Sequence, residues 1–218
     1  MSKRIALVHA VKPAMQPIAD AFQKLWPEAD CANILDDSLS RDREKTAELT
    51  PAMYARFEAL RIYATDIGSD ALLFTCSAFG EAIEAVAQKS AFPVLKPNEA
   101  MFEAALERGR SIGMLATFEP SVASMEREFY ALAEARGVKA EIRTICVPAA
   151  MEALNKGDAA THNALLAEAA PQLKNTDAVL LAQFSTSQAE KAVSAVIANP
   201  VLTSPASAVR KLRSVLGS

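Results

Sequence analysis

The chain has 218 residues, 51% of them apolar, and a formal net charge of −3. That length suits one large α/β unit or two small ones, and without a basic stripe nucleic acid is a poor partner. Three cysteines without close spacing suggest neither a disulfide framework nor a zinc site.

Ile5-Ala-Leu-Val-His9 predicts a buried strand. Residues 18–26 show helical spacing (Ile18, Ala21, Phe22, Leu25), and Pro27 stops that helix. A shorter strand is expected at 31–35. Residues 36–49 are polar; Arg41, Arg43 and Lys45 alternate with acids there and read as a solvated loop or helix start. Thr50-Pro51 is an N-cap followed by proline at the first helical position, and this helix runs towards Ile67. The stretch 70–86 then reads strand, small hydroxyl-rich turn, helix, with Cys76 where the strand stops. A strand at 92–95 and a helix at 98–108 complete the first round. The second round predicts strands at 111–117, 140–147, 177–182 and 199–202. Helices are expected at 121–136, 148–155, 158–173, 187–197 and 206–216. Strands alternating with helices predict a largely parallel sheet. No apolar run reaches the ~20 residues of a membrane span, and the basic start lacks the apolar stretch and cleavage site of an export signal. A cytoplasmic protein without membrane contact is expected.

A shift of about 107 residues superimposes the two rounds. Asp70-Ala71 meets Asp177-Ala178, Ala82, Ala85 and Val86 meet Ala189, Ala192 and Val193, and Pro93-Val-Leu95 meets Pro200-Val-Leu202. Ile5, Pro13 and Phe22 meet Ile112, Pro120 and Phe129. One register across separated blocks indicates an internal duplication. The expected architecture is two similar Rossmann-like α/β halves with parallel sheets, residues 1–97 plus 205–218 and residues 98–204. They would be related by a pseudo-two-fold axis, with the active site in the cleft between them. Under the shift Cys76 meets Gln183 and Ala10 meets Thr117.

Cys76 draws attention because a thiol at a strand end and helix start has backbone N–H groups and a helix dipole to favour its thiolate. Ligands of open α/β sheets bind at this strand edge. With a pKa near ambient pH, Cys76 could act as nucleophile or proton donor. Ser77 and Ala78 offer a hydroxyl and N–H groups to a carboxylate or oxyanion, with Thr75 beside them. His9 ends the first strand and is a candidate base or a hydrogen-bonded structural residue. Lys12 and Lys96 end near strand edges. Cys31 and Cys146 read as structural, His162 as solvated, and Met101, Phe102, Ala105 and Leu106 as core. No phosphate-binding, dinucleotide, serine-hydrolase or zincin motif occurs.

Leu73-Phe-Thr-Cys76-Ser77, Pro93-Val94, Arg110-Ser-Ile-Gly113-Met-Leu-Ala-Thr117 with Ser121, and Leu180-Leu-Ala-Gln183 together resemble the aspartate/glutamate/hydantoin racemase superfamily. The resemblance implies cofactor-independent chemistry on a small carboxylate, a cysteine on the central strand of each half, and a homo-oligomer. It also implies substrate contacts from the turn of Thr117, Phe118 and Ser121. On the opposite turn Gln183 could donate to a substrate carboxylate, Phe184 could shape the pocket and Ser185 could cap the helix, with a degenerated site as the alternative. This chain departs from the two-thiol pattern at Gln183, since an amide is neither acid nor base near neutral pH. Arylmalonate decarboxylase, in the same superfamily, protonates an enediolate with a single thiol. The expected function is therefore a racemase or isomerase using Cys76. A single-thiol decarboxylase or lyase, or a non-catalytic carboxylate-binding protein, stands as the alternative.

Overall fold

A computed structural model describes residues 2–46 and 48–217. The chain packs as two compact units. One takes the chain up to Pro97 and again from Ala208, and the other is Asn98–Ser207. The first holds four parallel strands, β1 (Arg4–His9), β2 (Asp30–Leu35), β3 (Ala71–Phe74) and β4 (Val94–Leu95), in the order β2-β1-β3-β4. Its helices are α1 (Met15–Leu25), α2 (Ser38–Glu44), α3 (Pro51–Asp66) and α4 (Gly80–Ala87). The central strands carry apolar side chains on both faces, and Ile5 to Val8 and Ala71 to Phe74 are all buried. This is the composition a parallel strand needs when helices cover both sides. On one face Phe57 of α3 stacks on Phe74 and packs against Phe79, with ring centroids 4.9 and 5.0 Å apart. Thr50 caps α3 through its hydroxyl, which accepts the Met53 N–H at 3.3 Å.

The second unit follows the same plan. After α5 (Glu99–Arg108) come β5 (Ser111–Ala116), α6 (Glu119–Ala135), β6 (Glu141–Cys146), α7 (Pro148–Asn155), α8 (Ala159–Ala169), β7 (Ala178–Leu181), α9 (Glu190–Ser194) and β8 (Val201–Thr203). The strand order is β6-β5-β7-β8, and α10 (Ser204–Val215) ends the chain. Met114, Ala116 and Leu180 face a core completed by α5 and α6, while Leu115, Val179 and Leu181 face one completed by α8 and α9. Met101, Phe102, Ala105 and Leu106 are buried in the first of these.

The ladders carry the duplication into three dimensions. Ile5 pairs with Ala71 and Leu72 with Val94 in one sheet, and Ile112 with Ala178 and Val179 with Val201 in the other. Each pair is displaced by the same 107-residue shift. A carboxylate closes the start of each central strand at equivalent positions. Asp70 accepts the Arg4 N–H at 2.8 Å, and Asp177 accepts the N–H groups of Ser111 and Arg110 at 2.9 and 2.7 Å.

Two local expectations change. The helix expected at 187–197 is instead a 3₁₀ turn, Phe184–Ala189, followed by the short α9. The Thr186 and Ser187 hydroxyls and the Gln188 amide donate to carbonyls three residues back, at 2.6, 2.7 and 2.8 Å. Such local bonds compete with α-helical pairing. His162 is fully buried rather than solvated, because α8 lies against α7, α9 and the 184–189 turn.

Gly109 sits hard against the Asp177 carboxylate: a Cβ there falls 2.0 Å from Asp177 Oδ2. Gly109→Ala should therefore destabilise the protein by about 1–3 kcal/mol in urea unfolding. In a double-mutant cycle with Asp177→Gly the two losses should be less than additive, because the Asp177 Cβ also lies only 2.3 Å from the added methyl and must be removed to relieve the clash.

Candidate active site

The ladder between β1 and β3 runs one residue past the end of β3. Thr75 N–H donates to Val8 O at 3.0 Å, which brings Thr75 to the C-terminal end of β1, next to His9. His9 is fully buried and Thr75 nearly so. His9 Nδ1 lies 2.9 Å from Thr75 Oγ1, and His9 Nε2 lies 2.9 Å from Asn33 Oδ1 on β2. Both ring nitrogens are thus engaged. Burial pulls the His9 pKa down, opposed by the Asn33 bond, so this histidine rests neutral inside the sheet edge.

Cys76 follows in extended backbone (φ −119°, ψ 123°), and the chain then makes a single 3₁₀ turn, Ser77–Phe79, before α4 begins at Gly80. The thiol is partly buried against the core of the first unit. Its position at a strand end agrees with the sequence reading, but its acidity does not start near neutral. Burial pushes the Cys76 thiol up, while the Ala78 N–H on its sulfur and the positive field of Arg43 pull it back down. The α-helix begins too late to face the thiol directly, so one N–H of the 3₁₀ turn does the work assigned to a helix N-terminus.

Arg43 is the residue that sequence reasoning missed. It lies on α2 among the alternating charges expected to be solvated. Its Nε instead donates to Ala78 O at 3.2 Å, and its Nη1 donates to Thr46 O. The charge alternation 41–45 carried no signal separating Arg43 from its neighbours.

In the second unit the residues expected around Gln183 form one hydrogen-bonded clamp. Gln183 Oε1 accepts the Thr117 N–H at 3.0 Å and the Thr117 hydroxyl at 3.3 Å. Gln183 Nε2 donates to Ser121 Oγ at 3.1 Å, and that hydroxyl donates to Phe118 O at 2.8 Å. Phe184 and Ser185 are buried in the turn that follows. Gln183 therefore ties the end of β7 to the end of β5, and its amide is spent within its own unit.

Lys96 pairs with Glu84 at 2.8 Å, and Lys12 stands in an exposed 3₁₀ turn. Cys31 is near the start of β2, its thiol pushed up to about 11 by burial and Asp30. Cys146 ends β6, its thiol pushed up to about 12 by burial and by hydrogen bonding to Glu119. Among the described residues no group of three or more His, Cys, Asp or Glu side chains could hold a metal ion, and no helix is long and apolar enough to cross a membrane.

Comparison with known proteins places the fold. The sequence profile of the family described as Asp/Glu/Hydantoin racemase matches residues 15–212, and the chain belongs to that family. The fold is similar to glutamate racemase isoform RacE1 from Bacillus anthracis (14% identity, TM-score 0.74, 99% of this chain and 82% of that one). It is similar to aspartate racemase from Picrophilus torridus (13%, TM-score 0.73, 99% and 95%) and to allantoin racemase from Klebsiella pneumoniae (15%, TM-score 0.69, 99% and 88%). No curated protein sequence matches.

His9 and His162 are both fully buried, and burial lowers both below the ordinary imidazole value of 6.5. Below that value the unfolded chain binds more protons than the folded one. Their contribution to stability is complete above 6.5 and is lost as the pH falls through 6.5 towards the folded-state values. Unfolding free energy should decline between pH 7 and 5, with a slope of up to about 1.4 kcal/mol per pH unit for each histidine. His162→Leu should flatten that decline by one proton in urea titrations at a series of pH values.

Proposed function

We propose that this chain is a cofactor-independent racemase or isomerase acting on a small carboxylate, with Cys76 as its proton carrier. The observation that supports this reading is the setting of Cys76: a partly buried thiol between the end of a central strand and a 3₁₀ turn, in a member of this racemase family. The Ser77 hydroxyl and the backbone of the following turn would hold the substrate carboxylate. The thiolate takes the proton from the carbon α to that carboxylate, and the electron pair left by the C–H bond moves into the carboxylate as an enediolate. Racemisation then needs a proton delivered to the opposite face.

Gln183 favours a second reading. An amide cannot deliver that proton, and this one is committed to Thr117 and Ser121. A decarboxylase needs only one thiol. The C–C bond to a second carboxylate breaks, CO₂ leaves, and the enediolate takes the thiol proton. Water then reprotonates the thiolate. A thiol that burial keeps protonated suits this donor role.

Incubating candidate 2-substituted and malonate-type acids with the protein in D₂O separates the two. Deuterium at the α-carbon with inversion and no CO₂ is the racemase outcome, whereas stoichiometric CO₂ with one deuteron retained is the lyase outcome. Cys76→Ala should lower either turnover by about 10²–10⁴-fold. Carboxylate binding without exchange or CO₂, and unchanged in Cys76→Ala, would instead identify a binding protein. If the thiolate is the attacking form, the racemase rate should rise with pH up to the thiol pKa. A rate that needs the protonated thiol should fall over the same range.

A further inference from the structure

We propose that Arg43 is a positioning residue for Cys76: its guanidinium, bonded to the Ala78 carbonyl at 3.2 Å, holds the 3₁₀ turn that starts at Cys76 and sets a positive charge beside that turn. The inference rests on the proposed role of Cys76 and adds a residue to it.

Charge sorting around α2 singles Arg43 out. Arg41 faces Asp37 at 3.6 Å, and Lys45 takes Asp42 at 3.1 Å. Arg56 of α3 claims Asp36 and Asp42, the latter at 2.8 Å, and also bonds to Ser38. Arg43 goes elsewhere and donates to two backbone carbonyls, Ala78 O from Nε and Thr46 O from Nη1. The contact with Ala78 crosses 35 residues of sequence and is part-buried. A carbonyl orients a guanidinium without cancelling its charge, and near a desolvated sulfur that charge is weakly screened.

The geometry couples charge and position in one residue. Ala78 meets Arg43 through its C=O two residues after Cys76, inside the 3₁₀ turn that Cys76 opens. Fixing the carbonyl therefore fixes the turn that carries the thiol. The planar fork of arginine does this better than a lysine ammonium, which retains the charge but not the directed Nε bond. Burial of Cys76 works against ionisation, and Arg43 is the side-chain charge placed to oppose it.

The test is the pH dependence of iodoacetamide alkylation at Cys76, followed by mass spectrometry of the Cys76 peptide so that Cys31 and Cys146 do not contribute. In Arg43→Gln the alkylation midpoint should move to higher pH, and the rate at pH 8 should fall at least about threefold. That fall is smaller than the loss of thiolate, because a more basic thiolate is intrinsically more nucleophilic. Arg43→Lys should lie between Arg43→Gln and the parent, and Arg41→Gln, which removes a nearby exposed charge, should superimpose on the parent. An Arg43→Gln curve identical to the parent overturns the proposal, as does an equal shift in Arg41→Gln. If Arg43→Gln does not fold, Arg43→Lys decides: a curve identical to the parent overturns it. A shift in Arg43→Gln together with full turnover in Cys76→Ala would leave the coupling standing and remove the proposed function instead.

Discussion

The hydrogen bond from Thr75 N–H to Val8 O decides where the chemistry of the first unit can stand. It extends the β1–β3 ladder one residue past the strand, so the backbone stays in register until the residue before Cys76. A parallel ladder fixes strand ends relative to each other far more tightly than a loop does. His9 on β1 then closes on the Thr75 hydroxyl, and Asn33 on β2 closes on the far side of the His9 ring. Three strands thus converge on one buried polar cluster beneath the thiol. Such a cluster resists rearrangement, because opening any of its bonds leaves a buried donor or acceptor without a partner.

The second unit places the same ladder at the equivalent point, with Ala182 N–H on Leu115 O at 3.1 Å, but fills it with different side chains. Ala182 stands where Thr75 would be and Ala116 where His9 would be, so no polar cluster forms beneath the turn. Gln183 supplies the connection instead, reaching sideways to Thr117 and Ser121. The two halves solve the same mechanical problem, tying two strand ends together, in opposite ways. One ties them below the turn and leaves the residue after the strand a free thiol. The other ties them through that residue itself.

Much of this was legible in the sequence because it rests on short-range patterns. Continuous apolar runs mark doubly covered strands, Thr50-Pro51 marks the start of α3, and the 107-residue shift marks the duplication. The shift survives folding because strand register follows residue spacing. The thiol at the end of β3 was legible for the same reason. What escaped depends on partners distant in sequence. Arg43 differs from Arg41 only in which way its helix face turns and in the carbonyl waiting 35 residues on. His162 is buried by neighbouring helices rather than by its own pattern. The bonds of Gln183 need β5 and β7 side by side before they can be seen.

The proposed chemistry turns on a conflict at Cys76. A proton carrier must leave water to meet a carbon acid, because a hydrated thiolate is a weak base towards it, yet leaving water costs the thiolate its solvation. Burial here wins on balance and keeps the thiol protonated at rest. The Ala78 N–H and Arg43 return part of what solvation would have supplied, in fixed positions that need no reorganisation when the proton moves. On the proposed readings, a thiol protonated at rest serves the lyase step directly, and the racemase step requires it first to ionise. Gln183 adds no proton of its own. In the proposed reaction the direction of proton flow follows the balance at Cys76 between burial and the charge of Arg43.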